Sequence, residues 1–364
     1  MLENIFRIRP RRFLGIDIGI SYVKIVELSR KGNKIALENY GELGILKQKD
    51  RAFRVFTEDT LLLSDRDVAK AIRVICDEAR IQAKEVNFSI PDFASFFTTI
   101  NLPSITKEEI AEAVRYEVRP HVPLPLSEVN LGWVVTEGEP GKSAIKVLAV
   151  AVPNDVVRQY EEIALISGLK LKALEPEVFA LARSLKPLIT NGTSPKLVAL
   201  IDIGARSTTY NIFEQGVLKT SHSSNIGANE LTETLARSLN IDYNKAEELK
   251  IKSGIAGPSS GAEASRLGIR EIILPLIDAI MDETKKVFRD FYRTKGEDIQ
   301  RIILAGGTAL LPGLKEYFAA ELNKEVIIAD PFSQISYPKV LGETLKKSSP
   351  SYAVAVGLAL KGFE

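Results

Sequence analysis

The stretch Leu14-Gly-Ile-Asp-Ile-Gly19 recurs in the second half of the chain as Leu200-Ile-Asp-Ile-Gly204. Each Asp-Ile-Gly tripeptide closes an apolar run typical of a buried strand, and a second β-rich run follows it. A tight turn at this place offers backbone N–H groups to an anion, and its aspartate can hold the water shell of a metal ion. Two such turns facing one another predict a site for ATP with Mg²⁺ between two similar lobes.

The elements around the two tripeptides follow the same order in each half. In the first half, strands at residues 13–18, 21–28 and 34–40 precede a helix at 65–79. In the second half, strands at 197–202, 207–213 and 217–223 precede a helix at about 229–239. A repeated architecture of this kind indicates duplicated lobes of the α/β class.

The chain of 364 residues is long enough for two domains. The linker-like segment 186–196 predicts a boundary near residue 190, so that residues 1–190 form the first lobe and residues 191–345 the second. Two insertions are expected. An α+β insertion covers about 86–165, and a helical insertion covers about 241–295.

Composition excludes several classes of function. A net charge of +1 gives no broad field for nucleic acid, so no nucleic-acid partner is expected. The chain has one cysteine, two histidines and no Walker-type phosphate loop, which argues against a disulfide framework, a zinc site and a P-loop enzyme. Arginines among apolar residues before Phe13 weakly indicate contact with an anionic membrane, although a frayed basic terminus is the preferred interpretation.

Three further features suit a nucleotide site, and each has a plainer alternative. Gly306 and Gly307 end an apolar strand and would let the backbone lie against a base or ribose, or they form an ordinary turn. Lys24 could return to the phosphates, or it is a solvated charge. Glu175, at the close of another strand, could orient a water, or it is an acid favoured at a helix start.

Together these motifs resemble the actin-like ATPase superfamily. The resemblance implies actin-like (ribonuclease H-like) lobes with a nucleotide cleft between them, and residues 346–364 as a helix that returns to the first lobe. It implies that Asp17 and Asp202 approach Mg²⁺ and that Glu175 positions a water. It also assigns a set of residues to ATP, namely Gly19, Ser21, Lys24, Gly204, Ala205, Arg206, Gly227, Glu247, Lys250, Gly306, Gly307 and Thr308.

Within that superfamily, the stretch from Ile110 through Pro120-His-Val-Pro-Leu-Pro125 to Asn130 is similar to the PilM family of type IV pilus assembly proteins. This resemblance implies a cytoplasmic scaffold at the inner face of the inner membrane, associated with the membrane through its partner. The partner would be the N-terminal cytoplasmic peptide of the membrane protein PilN, bound near the first insertion. We expect Phe93, Phe96 and Phe97 to contribute to that surface. Binding to other inner-membrane pilus components and formation of a homo-oligomer are left open.

Two other classes of function stay open at this point. An FtsA-like filament protein is the nearest alternative, although the chain ends soon after Gly357 and we expect no membrane-targeting helix of the FtsA type. An actin-fold kinase or chaperone-type ATPase is the second, although no additional carboxylate suggests an acceptor base. We expect slow ATP hydrolysis at most.

Overall fold

The computed structural model describes residues 11–44, 54–57, 60–63, 65–190, 195–256 and 268–364. Most of the basic N-terminal segment, and the Gly-Pro-Ser-Ser-Gly break at 257–261, lie outside the described residues. Among the described residues, no helix has both the length and the apolar character needed to cross a bilayer.

The first lobe is built on a five-stranded sheet in the order β10-β6-β1-β2-β3. Strands β1 to β3 form an antiparallel meander, while β6 and β10 continue the sheet in parallel on the other side of β1. These strands are β1 Arg12–Ile18, β2 Tyr22–Lys31, β3 Lys34–Gly44, β6 Glu85–Ile90 and β10 Lys170–Pro176, and a separate hairpin pairs β4 Arg54–Thr57 with β5 Thr60–Leu63.

The second lobe repeats this sheet with the same order and directions, β13-β12-β11-β14-β15. Its strands are β11 Leu197–Ile203, β12 Thr208–Glu214, β13 Val217–Ser224, β14 Arg301–Ala305 and β15 Glu325–Ile328. The duplicated α/β fold predicted from the two tripeptides is therefore confirmed.

Helices cover both sheets, which explains why the central strands are apolar on both faces. In the first lobe, Ile16 and Phe88 pack with helices α1 Asp65–Glu78 and α3 Asn154–Ile166. In the second lobe, Ile201 and Leu304 pack in one core with several helices. These helices are α6 Ala228–Leu239, α7 Tyr243–Ser253, α8 Ile269–Lys295 and α9 Leu314–Leu322.

The α+β insertion is shorter than the predicted 86–165. Its sheet has the order β7-β9-β8 and carries helix α2 on one face; the elements are β7 Phe96–Leu102, α2 Ile110–Val118, β8 Val129–Glu137 and β9 Ile145–Pro153. Strand β6 and helix α3, predicted as parts of the insertion, belong to the first lobe instead. Phe88 is fully buried there, 5.7 Å from the ring of Tyr160, because β6 pairs with β1 and not with β7.

The helices that join the lobes are α4 Glu177–Ser184, α5 Lys186–Thr190, α10 Gly342–Lys346 and α11 Ala353–Lys361. Part of the segment predicted as a linker is therefore helical. Helix α11 packs on β1, β6 and α4. A Cβ atom on Gly357 would overlap the backbone of Ala180, and one on Gly15 would overlap the backbone of Ala355. The lobe boundaries at 190 and 345 stay predictions.

Gly357→Ala is expected to lower the free energy of unfolding by about 1–3 kcal/mol, the usual cost of forcing a methyl group into a packed contact. At an unhindered helical position, the same change stabilises by roughly 0.5–1 kcal/mol. Gly342→Ala is the matched control, since no atom lies within 4 Å of its new Cβ. Urea unfolding measures both variants, and an unchanged midpoint for Gly357→Ala would contradict the close packing of α11.

Candidate functional site

The two Asp-Ile-Gly turns open onto one cavity between the lobes, with a volume of about 390 Å³. Both β1 and β11 end at this cavity, which places it at the carboxyl ends of the central strands, where ligands bind in open α/β sheets. Most of the predicted nucleotide residues line it, namely Asp17, Gly19, Ser21, Lys24, Asp202, Gly204, Ala205, Arg206, Glu247, Lys250, Gly306, Gly307 and Thr308.

The two turns have the same internal geometry. The Gly19 N–H donates to the Tyr22 carbonyl at 2.8 Å, and the Gly204 N–H donates to the Ser207 carbonyl at 2.9 Å. A Cβ atom on either glycine would lie 2.9 Å or 3.0 Å from the same carbonyl oxygen. The close approach of the backbone across each turn therefore favours glycine at both positions.

The two aspartates differ in their immediate partners. Asp17 lies opposite Lys24 in the β1–β2 pair, and its carboxylate accepts a hydrogen bond from the Ser89 hydroxyl at 3.1 Å. Asp202 lies opposite the neutral side chain of Thr209 in the β11–β12 pair. The residues that face the two aspartates across the strand pair therefore differ in charge.

The second turn is held against the start of helix α6. The N–H groups of Ala228 and Asn229 donate to the carbonyls of Gly204 and Ala205 at 2.9 and 2.7 Å. Gly227 does not line the cavity. Its role here is steric, because a Cβ atom would lie 2.6 Å from the backbone of Arg206.

The glycine pair lies directly beside the second aspartate. Gly306 has φ of +82°, and a Cβ atom there would overlap Oδ1 of Asp202. Both the left-handed backbone and the missing side chain are therefore needed for the strand end to reach the carboxylate. Gly307 has no such crowding, and Thr308 is buried in the short 3₁₀ turn that follows.

Lys250 and Glu247 both line the cavity and form an ion pair with each other. The Lys250 ammonium is buried and donates to the Glu247 carboxylate at 2.7 Å, the Thr232 hydroxyl at 2.8 Å and the Ala228 carbonyl at 3.2 Å. This network ties α7 to the start of α6. Lys250 thus stabilises the wall of the cavity. This role differs from the expected direct contact of Lys250 with ribose or base.

The expectation that Glu175 orients a water in the cleft is wrong. Its buried carboxylate is bound by both terminal nitrogens of Arg183, one of them at 3.0 Å, and Lys361 lies 3.5 Å away. It does not line the cavity. Glu177, two residues further along, does so from the first turn of α4, where the helix dipole favours a carboxylate.

The sequence analysis did not identify several cavity residues, because no motif includes them. They include Tyr22, Glu42, Glu177, Tyr243, Ile251 and Lys347. Burial, and then the carboxylates of Glu42 and Glu247, raise the pKa of Tyr22. Tyr22 of the first lobe and Glu247 of the second lobe both line the cavity.

The three phenylalanines expected at a partner surface do not form one groove. Phe96 packs on the core of the insertion, while Phe97 packs on the first lobe with its ring 6.2 Å from that of Phe179. Adjacent strand residues point to opposite faces, so this separation follows from strand geometry. Phe93 is exposed on a short 3₁₀ turn, Asp92–Ala94.

A second cavity, of about 690 Å³, lies between the insertion and the first lobe; we call it the insertion groove. Among the described residues, β8 and β10 are outer strands of their sheets, and both border the groove. The residues that line it are mostly apolar, including Leu131, Val150, Val152, Val157, Leu165, Leu171 and Leu174, with Glu161 and Lys172 as charged members. Leu165 is 79% exposed.

Within the described part of the chain, no group of three or more His, Cys, Asp or Glu side chains could hold a metal ion by itself. The cavity instead offers two separate aspartates and two turns that begin with glycine. This set fits a metal that is carried by phosphate oxygens and water.

Comparisons with known proteins agree with this geometry. The family described as type IV pilus assembly protein PilM matches residues 15–363. A solved PilM-PilN type IV pilus biogenesis complex is 25% identical, covers 96% of this chain and 98% of that chain, and has a TM-score of 0.78. MreB 5 of Spiroplasma citri bound to AMPPNP is 15% identical, covers 97% of this chain and 96% of that chain, and has a TM-score of 0.53; this likeness shows an actin-like fold.

Curated relatives are cell division proteins named FtsA. The protein from Enterococcus faecalis is 24% identical over 94% of this chain and 89% of its own length. The protein from Rhizobium meliloti is 28% identical over 44% of this chain, and the match spans only 39% of that protein.

Glu175→Gln is expected to lower the free energy of unfolding by about 1–3 kcal/mol, because the buried guanidinium of Arg183 loses its paired charge. Glu343→Gln, the same change at a side chain that is 83% exposed, is expected to stay within about 0.5 kcal/mol of wild type. Chemical denaturation measures both variants. An equal loss in the two variants would contradict the buried pairing of Glu175 with Arg183.

Proposed function

Because the chain belongs to the type IV pilus assembly protein PilM family, we propose that it is an ATP-binding scaffold of the pilus inner-membrane complex that binds the N-terminal peptide of PilN. The observation that carries the nucleotide half of this proposal is the pair of matched glycine turns facing one cavity, each preceded by an aspartate. The partner half is carried by the likeness to a PilM-PilN complex over almost the whole chain.

The cavity suits an adenine nucleotide in size and in the placement of its polar groups. About 390 Å³ lies within the usual range for small-molecule sites. The backbone N–H groups of the turns, with Lys24 and Arg206, would bind phosphate, while Ile251 and Leu310 supply apolar surface for the nucleoside. Bound Mg²⁺ would neutralise phosphate charge, and Asp17 and Asp202 would hold its water ligands.

We propose that this nucleotide is a structural ligand, hydrolysed slowly at most. Glu177 is the acidic residue best placed to orient a water, since Glu175 is bound to Arg183. Phosphate release faster than roughly 10 per second, the rate of an ordinary turnover enzyme, would contradict this role.

The insertion groove is the proposed site of the PilN peptide. Two outer strands border it, so an extended peptide could pair with the backbone of either β8 or β10 while its alternate side chains enter the apolar floor. The site is built from Leu131, Val152 and Leu171, and Phe93, Phe96 and Phe97 are outside it. Through this contact the protein would sit at the cytoplasmic face of the inner membrane.

An FtsA-like filament protein is the second candidate, favoured by the match to the Enterococcus faecalis protein over 94% of the chain. ATP-dependent sedimentation of polymers, combined with no binding of the PilN peptide, would favour this candidate instead.

Asp202→Asn is expected to weaken Mg-ATP binding at least ten-fold, equivalent to about 1.4 kcal/mol, because it removes a charge near the metal at constant volume. Asp17→Asn is expected to weaken Mg-ATP binding for the same reason. Isothermal titration calorimetry measures both affinities. Asp298→Asn, on an exposed side chain paired with Lys324, is the control; equal affinity for Asp202→Asn and wild type would refute the metal assignment.

Leu165→Asp is expected to weaken binding of a synthetic PilN N-terminal peptide at least ten-fold, because it places a charge among the apolar groups of the insertion groove. The residue is 79% exposed, so the fold should be unaffected. Val340→Asp, at an 84% exposed residue outside the groove, is the matched control. Fluorescence anisotropy with labelled peptide distinguishes them, and an equal effect of both changes would exclude this groove.

A further inference from the structure

The insertion contacts the second lobe through a shared lysine. Lys219 of β13 donates a hydrogen bond to Glu137 at the end of β8, and its ammonium also lies 3.2 Å from Glu214 at the end of β12. The Lys219 side chain is only 9% exposed. One ammonium group therefore joins a carboxylate of the insertion to a carboxylate of the second lobe; we call this contact the Lys219 bridge.

An apolar contact lies in the same region. Leu148 of β9 belongs to a buried cluster that also contains Phe213 and Leu218 of the second lobe. Strand β8 thus contacts the second lobe through charge, and β9 shares a buried apolar cluster with it. The insertion is therefore not attached to the first lobe alone.

The same two strands border the insertion groove. Leu131 and Gly132 of β8 and Val150 and Val152 of β9 line it. Glu137 is six residues along β8 from Leu131, a distance of about 20 Å in an extended strand. The β8–β9 ladder has one irregularity, between Val135 and Glu137, and is regular from Val135 to the groove residues. A shift of the hairpin at the Lys219 bridge would therefore be transmitted to the groove along this paired stretch.

On its other side, the bridge connects to the nucleotide cavity. Strand β12 begins at Thr208, directly after the second glycine turn, and its next residue, Thr209, lines the cavity. The strand ends at Glu214, which contacts Lys219. One strand thus joins the phosphate-facing turn to the bridge.

We propose that the Lys219 bridge couples the two sites, so that Mg-ATP in the cavity and the peptide in the insertion groove increase each other's affinity. This inference rests on the proposed function. A nucleotide held by both turns fixes the second lobe relative to the first, which keeps β13 against the hairpin and keeps the groove in its peptide-binding shape. Binding free energies are linked reciprocally, so each ligand must tighten the other by the same factor.

The test is a titration of wild-type protein with a synthetic PilN N-terminal peptide, with and without Mg-ATP, and the reverse titration with ATP. We expect Mg-ATP to tighten peptide binding at least five-fold, roughly the lower end of typical allosteric coupling. We expect Lys219→Met and Glu137→Gln each to reduce that factor to less than two-fold. Glu137 is 49% exposed, so its variant should fold even if Lys219→Met does not.

Lys142→Met and Glu139→Gln are the matched controls. This pair lies in the turn of the same hairpin, but it is exposed and bonds only within the insertion. Both controls should keep the wild-type factor. Coupling that persists unchanged in Glu137→Gln, or a wild-type protein that binds both ligands independently, would overturn the inference and leave the proposed function intact. A wild-type protein that binds neither ligand would overturn both.

Discussion

The close packing of helix α11 on the first lobe is the constraint on which the site depends. With glycine at positions 15 and 357, the helix lies directly against β1 and α4, closer than any side chain would allow. The segment just before it then reaches the second lobe, where the Pro350 carbonyl accepts a hydrogen bond from the Gly306 N–H at 3.2 Å. Both lobes are thereby joined at the floor of the cavity, beside the glycine pair.

The duplicated fold gives the cavity two similar walls, but the residues on the two walls differ. The turns at Gly19 and Gly204 match in their hydrogen bonds, yet the residue opposite the aspartate is Lys24 in one lobe and Thr209 in the other. The glycine pair and the Lys250 network occur on the second-lobe wall. With the proposed function, both walls would bind phosphate and one wall would supply most of the nucleoside contacts, which suits an asymmetric ligand such as a nucleotide better than a symmetric cleft would.

Local patterns were enough to predict the three-strand unit of each lobe, the glycine turns and the duplicated fold, because strand periodicity and glycine turns are set by neighbouring residues. They were not enough to predict the surroundings of Glu175. Those depend on Arg183, near the end of helix α4, which binds the Glu175 carboxylate outside the cavity. The insertion boundary failed for a similar reason, since the apolar run around Phe88 looks the same whichever sheet it joins.

The charges around the cavity indicate why a metal should accompany the nucleotide. Among the described residues, its charged lining consists of Asp17, Glu42, Glu177, Asp202, Glu247, Lys24, Arg206, Lys250 and Lys347. Lys250 and Glu247 pair with each other, which leaves carboxylates in slight excess. With the proposed function, a bare triphosphate would add its own negative charge to this slight excess. A divalent cation between the phosphates and the aspartates would offset that charge, so the cavity would favour the metal complex over the free nucleotide.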